Sequence, residues 1–409
     1  MSAPRAGNIR PAASVLVLRD GARGVEVLLM RRPERGDNDF RSGACVFPGG
    51  VLDAADSAAW PWCLGQDDAQ ASARLGLSEG GLNYFVAALR ECFEEVGLLF
   101  VCRPDGSPAD LGPHAEALRD WRHRLHHGQA TMAALCEAFD WRLDLREMAY
   151  FSHWLTPVLR PKRFDTRFFV RLAPPTQEAM PDLGEALELM WLTPDEALDP
   201  QRALKLLNVT QRTLQEMRGF DSARAAFEHA LALRGVALHF PRPALGPEGP
   251  RFVIESDPAY QEVAHLDPDG RGDVRCELAP GEVTQLSPRL WRVAGATGHA
   301  FLVSDSARSQ TVLIDADAAD AAQSAALQAL GGPALPQTLS TRPGTAAQAR
   351  LQLGADCTLH VLDRAAAGLV YVLEQDGIAI ADAVCAPPAA PDVGWLAPTR
   401  GFMRRLRSG

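Results

Sequence analysis

The stretch Arg90-Glu91-Cys92-Phe93-Glu94-Glu95-Val96-Gly97-Leu98 constrains this chain more than any other. On a helix, positions i, i+3 and i+4 share a face. Glu91, Glu94 and Glu95 therefore converge, while Cys92, Phe93 and Val96 turn to a core. The spacing predicts a helix over 83–96, with Tyr84, Val86, Ala87 and Leu89 as packing positions and Gly97 as its stop. Two carboxylates about 4 Å apart repel by about 1 kcal/mol in water and about 4 kcal/mol at an effective dielectric near 20. Three of them in a partly shielded spot either protonate one member or bind a cation. An oxygen-only donor set suits Mg²⁺ first and Mn²⁺ second. A solvated helix face is the bland alternative. The neighbours weigh against it: the rigid turn Phe47-Pro48-Gly49-Gly50, the basic-flanked strand from Lys162 to Val170, and Glu185 and Glu188 ahead of Trp191. The two glycines let backbone groups approach a ligand with no side chain in the way.

The size and composition of the chain narrow the classes. At 409 residues it has room for two or three domains. A net charge of −10 argues against a general nucleic-acid binder, although local Arg and Lys can still hold an anionic nucleotide. The eight cysteines form no C-x-x-C pair, so neither a zinc ribbon nor a redox motif is read. Their scatter through apolar stretches fits a reducing compartment, and the cytoplasm is the default. No run approaches the ~20 apolar residues of a membrane span.

In chain order, short apolar strands are expected at 13–18 and 25–30, joined by the turn Gly21 to Gly24 and closed by Arg31 and Arg32. An insertion at about 57–83 opens with Trp60-Pro61-Trp62, more an anchor than a stacking platform for a flat ligand. A second, at about 103–148, reads as a helical cap. Its His123, His126 and His127 point apart on a helix, with no acid or Cys to complete a metal site. Paired strands are expected over 151–159 and 164–172, with Arg160, Lys162 and Arg163 in the turn between them and Arg167 inside the second strand. Thr193, Pro194 and Glu196 spell a capping box. Four prolines and two glycines from Phe240 to Pro250 mark a linker. Beyond it come strands, an alanine-rich helix over 318–330, and a hairpin around Gln375-Asp376-Gly377. The fold class is mixed α/β: a domain over 1–235, linker and strands over 236–285, and a smaller C-terminal α/β domain over 286–409.

These residues resemble the box of the Nudix hydrolases. Gly50 with Asp56 matches its first half, with Asp where the family usually has Glu. Arg90 to Leu98 matches the second half at every fixed position. The spacer departs, being 33 residues from Ser57 to Leu89 instead of the family's seven. A long insertion here is similar to the subgroup around the peroxisomal coenzyme A diphosphatases of the NUDT19 type. Gly43-x-x-x-Phe47-Pro48-Gly49-Gly50, His153 to Pro157 and Lys162 to Phe169 resemble that subgroup too, while its expected upstream Arg falls on Asp39. The resemblance covers roughly 11–235 and implies an α+β Nudix sandwich with helical insertions.

It implies hydrolysis of a nucleoside diphosphate linked to another moiety. Mg²⁺ or Mn²⁺ would sit on Glu91, Glu94 and Glu95, and Arg90 would orient those acids. Proton removal would fall to Glu91, Glu94 or Glu185. Arg31, Arg32, Gly49, Gly50, Arg163 and Arg167 would meet the substrate. The leading small-molecule partner is coenzyme A or acyl-coenzyme A. ADP-ribose, NADH or a dinucleoside polyphosphate stays open, and so does a non-catalytic nucleotide sensor, which would have no need of all three acids. The tail resembles a metallo-β-lactamase fold through Ala300 to Val303, Thr311 to Asp315 and Gly377 to Asp382. That family's His-x-His-x-Asp-His run is absent, so the expectation is a tail without metal chemistry that serves packing, homodimerisation or the substrate pocket.

Overall fold

Two apolar runs broken once by a glycine-rich turn start the chain as a hairpin, β1 (Ile9–Gly21) and β2 (Gly24–Arg31). The computed structural model describes residues 9–34, 42–182, 187–246, 249–255, 257, 259–272, 274–276, 278–331, 337–342, 348–364, 368–381 and 395–398. The chain divides into two units. One comprises Gly7–Thr156 and Pro161–His239; the other includes Pro157–Arg160 and Phe240–Gly409.

In the first unit the strands continue with β3 (Cys45–Val46), β4 (Gly49–Val51), β5 (Cys63–Leu64), β6 (Val101–Cys102), β7 (Arg142–Asp144), β8 (Ala149–Leu155), β9 (Arg163–Leu172), β10 (Glu188–Leu192) and β11 (Leu238–His239). The helices are α1 (Asp68–Leu75), α2 (Gly81–Val96), α3 (Ala115–His126), α4 (Met132–Phe139), α5 (Pro194–Leu198), α6 (Asn208–Glu216) and α7 (Ala223–Ala232). The main sheet runs β10-β2-β1-β9-β8-β11, with β1 and β9 parallel from Ile9↔Arg163 to Leu18↔Leu172. At one end β3 pairs with β2 while β4 pairs with β1. The Phe47-Pro48-Gly49-Gly50 turn therefore lies between the two strands of the opening hairpin.

Because side chains alternate across a strand, β1 feeds two cores. Val15 and Val17 join Leu28, Met30 and Phe169 against Phe85, Leu89 and Phe93 of α2. Leu16 and Leu18 join Val27 and Leu29 on the other face, against Leu214 of α6 and Phe227 of α7. Each such buried side chain contributes about 1.5–3 kcal/mol. This double burial explains why β1 and β2 read as unbroken apolar runs. The insertions thicken the α2 side. Trp60 donates to Asn83 Oδ1 at 2.9 Å, and Arg142 stacks over Trp62 at 4.7 Å, so these tryptophans anchor the insertion. The Thr193/Glu196 capping box forms at the start of α5.

The second unit opens with β12 (Arg242–Gly246) and β13 (Gly249–Val253), followed by α8 (Tyr260–Leu266). The expected linker over 240–250 is thus part of a two-stranded hairpin. Pro243 and Pro250 sit where the backbone nitrogen faces away from the partner strand, so neither costs a bond of this ladder. Two five-stranded sheets follow. The first holds β14 (Val283–Ser287), β15 (Leu290–Ala294), β16 (His299–Ser304), β17 (Thr311–Ile314) and β18 (Gln337–Leu339). The second holds β19 (Arg350–Leu353), β20 (Cys357–Asp363), β21 (Leu369–Leu373), β22 (Ile378–Ala381) and β23 (Trp395–Pro398). Phe301, Val303 and Ile314 from the first sheet share one core with Leu359, Tyr371 and Ile380 from the second. Helix α9 (Ala321–Leu330) crosses between the parallel strands β17 and β18. The expected hairpin around Gly377 joins β21 to β22.

Candidate active site

Helix α2 starts two residues before the expected position because α1 caps it from outside. Asp68 accepts from the Gly80 and Leu82 N–H groups at 2.9 Å each, and Ser72 Oγ accepts from Gly81 N at 2.8 Å. Its end is as expected: Gly97 takes φ 75° and closes the last turn on Phe93 O. Glu91, Glu94 and Glu95 are only 9%, 7% and 2% exposed, so they are not a solvated face.

The Gly-Gly turn is shaped to that helix. Gly49 N–H donates to Glu95 Oε2 at 2.8 Å. A Cβ on Gly50 would fall 2.4 Å from the Glu91 carboxyl carbon, and one on Gly49 would fall 2.4 Å from Ala13 O. At Gly49 the backbone of Ala13 and Ser14 leaves no room for a side chain, and at Gly50 the Glu91 carboxylate fills the place a Cβ would take.

Arg90 ties the cluster together. Its Nε donates to Asp56 Oδ1 at 2.8 Å. Nη2 donates to Val51 O at 2.9 Å and Asp56 Oδ2 at 3.3 Å, and Nη1 to Glu91 Oε1 at 2.8 Å and Glu94 Oε1 at 3.3 Å. All five guanidinium donors are thereby used. Asp56 is itself fixed by the Asp53 N–H at 2.8 Å in the 3₁₀ turn Ala54–Trp62. Burial pulls the Arg90 pKa down, but the Asp56 hydrogen bond and the Glu91, Asp56 and Glu94 charges more than offset it and raise it.

The placement bears on whether a cation fits. Among the described residues, no three His, Cys, Asp or Glu side chains already enclose a point that an ion would take. Glu91 and Glu94 aim one oxygen each at Arg90, and Glu95 aims one at Gly49. A carboxylate has about four acceptor positions, so it can serve these donors and a cation together. Asp56, Glu91 and Glu94 put three negative charges on the one positive charge of Arg90. Buried net charge of this kind is costly unless compensated. The oxygen-only donor set and its confinement to one helical turn fit a hard divalent ion.

The expected substrate residues are dispersed. Arg31 ends β2 with its side chain 41% exposed, 3.4 Å from Glu188 Oε2. Arg32 is half-buried, and its N–H donates to Ala44 O at 3.0 Å. Arg163 and Arg167, expected to meet substrate, instead lie buried. Arg163 Nε donates to Thr156 O at 3.1 Å. Arg167 Nη1 donates to Asp165 Oδ2 at 3.3 Å, and its guanidinium stacks over Tyr84 of α2 at 4.4 Å. Neither offers an open guanidinium. The physical reason is the strand's alternation, which puts Arg163, Asp165, Arg167, Phe169 and Arg171 on one face of β9. That face turns inward, and a reading of this segment by period two would have found it. Burial pushes the Asp165 carboxyl up, but the His153 hydrogen bond at 2.5 Å and the Arg167 charge hold it below the usual range. Glu185 lies outside the described residues. The helical histidines pack on each other, with the His123 and His127 rings stacked at 4.2 Å.

In the second unit a cavity of about 560 Å³ opens near the carboxyl ends of β17 and β18, lined by His299, Asp315, Asp317, Asp320, Ser340 and Arg342 among others. Its acids are engaged by N–H and hydroxyl donors of the loops around them. Asp315 accepts from Ser340 Oγ, Thr341 N and Thr341 Oγ1 at 3.0, 2.9 and 2.5 Å. Asp317 accepts from Ala319 N at 2.9 Å, and Asp320 accepts from Gln323 N and Ala296 N at 3.0 and 2.6 Å.

The family described as the NUDT19 Nudix domain matches residues 76–208, a span that includes α2 and β8 to β10. "Acyl-coenzyme A diphosphatase NUDT19" of Homo sapiens is 29% identical over 280 residues, covering 59% of this chain and 74% of that protein. The protein of the same name from Gallus gallus is 28% identical over 350 residues, covering 69% and 86%. The solved NUDIX hydrolase from Alicyclobacillus acidocaldarius is 27% identical, covers 55% of this chain and 97% of that one, and superposes with a TM-score of 0.46. The sequence matches support a NUDT19-like Nudix hydrolase, with residues 76–208 as the matched domain.

Proposed function

We propose that the chain cleaves a diphosphate linking a nucleoside to a second group, with coenzyme A or an acyl-coenzyme A as substrate and Mg²⁺ or Mn²⁺ as the ion. The observation that carries the reading is the buried turn of Glu91, Glu94 and Glu95, fitted to Gly49 and Gly50 and braced by Arg90. The name borne by the human and chicken relatives supplies the substrate class.

A divalent ion on the three glutamates would offset phosphate charge and lower the pKa of a bound water. Bond making from the water oxygen to one phosphorus accompanies rupture of that phosphorus's bond to the bridging oxygen, so two phosphomonoesters leave. A carboxylate takes the proton from the water, with Glu91, Glu94 and Glu185 as the candidates. Arg90 keeps Glu91 and Glu94 aimed, and Asp56 keeps Arg90 in place. Arg31 and Arg32 are the proposed phosphate contacts. Exposed ion pairs such as Arg31–Glu188 are worth ~0–1 kcal/mol, so Arg31 can exchange Glu188 for a phosphate at little cost. The seven described cysteines carry free thiols, which supports a cytoplasmic setting. Among the described residues no helix is long and apolar enough to cross a membrane.

The test is product release from coenzyme A, an acyl-coenzyme A, ADP-ribose, NADH and a dinucleoside polyphosphate, with Mg²⁺ and with chelator. The expected result is the highest kcat/KM on the coenzyme A compounds and none with chelator. Faster turnover of another diphosphate would move the substrate, and tight binding with no turnover would favour a sensor.

A further inference from the structure

The last four carbonyls of a helix have no partner within it, and in α2 these include the backbone of Glu94 and Glu95. Each finds a partner outside. Phe93 O accepts from Gly97 N at 3.0 Å, Glu95 O from Asp182 N at 3.1 Å and Val96 O from Met180 N at 2.8 Å. Glu94 O accepts from the Arg122 guanidinium, Nε, at 2.9 Å. The same guanidinium reaches Met180 O with Nη2 at 2.8 Å. Arg122 belongs to α3, in the insertion, where Leu118 and Leu125 anchor it in the core beneath. One planar fork thus joins three pieces of chain: the inserted helix, the carboxylate-bearing turn, and the 174–182 loop that runs towards Glu185 in sequence. Its positive charge stands at the negative pole of α2, where a cation is favoured. Lysine cannot reproduce the fork, since an ammonium is a single point on a flexible stem.

We propose that Arg122 is a positioning residue for the diphosphatase site. It fixes the backbone of Glu94 to the 174–182 loop, so the inserted helix sets how the acids of that turn are aimed. The inference rests on the function proposed above.

The experiment compares wild type, Arg122→Met, Arg122→Gln and Arg122→Lys. The readouts are kcat and KM on the diphosphate that wild type turns over fastest, Mn²⁺ binding by electron paramagnetic resonance, and thermal melting. A misplacement of about 1 Å costs on the order of 10²-fold in rate. Arg122→Met is therefore expected to lower kcat about 10- to 100-fold, with KM within about threefold and Mn²⁺ affinity weakened about tenfold. Arg122→Lys should recover part of each loss. Wild-type kcat and Mn²⁺ affinity in a folded Arg122→Met would overturn the proposal. So would equal losses in the Met and Lys variants that track a fallen melting temperature. If Arg122→Met does not fold, Arg122→Gln is judged by the same two criteria. If wild type hydrolyses no diphosphate, the functional reading fails by itself, and Mn²⁺ affinity alone decides the role of Arg122.

Discussion

Glu91, Glu94 and Glu95 in the first unit and Asp315, Asp317 and Asp320 in the second are both sets of three acids within six residues of chain. Their surroundings differ. The glutamates leave one helical turn side by side, face the guanidinium of Arg90 from the same helix and a glycine N–H from a remote turn, and fill the place a Cβ on Gly50 would take. The aspartates are spent on N–H and hydroxyl donors of the loops around them. One ties down Ser340 and Thr341, one closes a turn at Ala319, and one caps α9. The lesson is that the number of acids does not make a site. What matters is whether their oxygens are taken up by loop N–H and hydroxyl donors or stand together around one shared guanidinium.

That contrast is open to attack by substitution. Glu95→Gln removes one charge from the glutamate set, and hydrolysis is expected to fall by about 10²–10³ with little change in melting. Diphosphatase activity at the wild-type level with Mg²⁺ would break the assignment. Gly50→Ala pushes a methyl into the Glu91 carboxyl, which would lie 2.4 Å away. A loss of about 10²-fold in kcat and about 1–3 kcal/mol of stability from overpacking is expected, read by steady-state kinetics and urea unfolding. Asp56→Asn leaves Arg90 with its buried partner neutralised. Breaking such a pair costs about 3–5 kcal/mol, and a kcat loss of about tenfold should accompany it, because Arg90 then holds Glu91 and Glu94 less firmly. A variant as stable as wild type would show that Asp56 is not the anchor.

The second unit gives the smallest effects. Asp315→Asn should leave hydrolysis within about twofold and cost about 1–3 kcal/mol through the bonds to Ser340 and Thr341. Asp320 is held below the usual carboxylate range by the Gln323 and Ala296 N–H groups. A depressed folded pKa means that its stabilisation is in place above the ordinary value of about 4. That stabilisation is lost as pH falls through the lower folded value. Asp320→Asn keeps a capping side chain but lacks that charge, so it should be slightly less stable than wild type at pH 7, converge with it at low pH, and flatten the acid side of the stability curve. An unchanged acid slope would mean that Asp320 contributes none of it.

Much of the first unit was legible in the sequence because its signals are local. Gly97 stops α2, the Thr193/Glu196 box starts α5, and the Gly21 to Gly24 turn makes the hairpin. What was not legible depends on contacts far apart in the chain. Asp56 meets Arg90 across the long spacer, and Arg122 reaches Glu94 from an insertion whose sequence reads as an ordinary amphipathic helix. Lys162 to Val170 reads as a basic-flanked strand, but that reading does not say which way Arg163 and Arg167 face, and in the fold both are buried. Phe240 to Pro250 looked like a linker because its prolines were counted without asking whether their nitrogens faced a partner strand.

The most direct test of the account is a crystal of the enzyme grown with Mn²⁺ and a non-hydrolysable diphosphate analogue, with the ion located by its anomalous signal. The account predicts manganese bound by carboxylate oxygens of Glu91, Glu94 and Glu95 and bridging the analogue's phosphate oxygens. A bound analogue with Glu91 and Glu94 still on Arg90 and no ion among the three acids would contradict it.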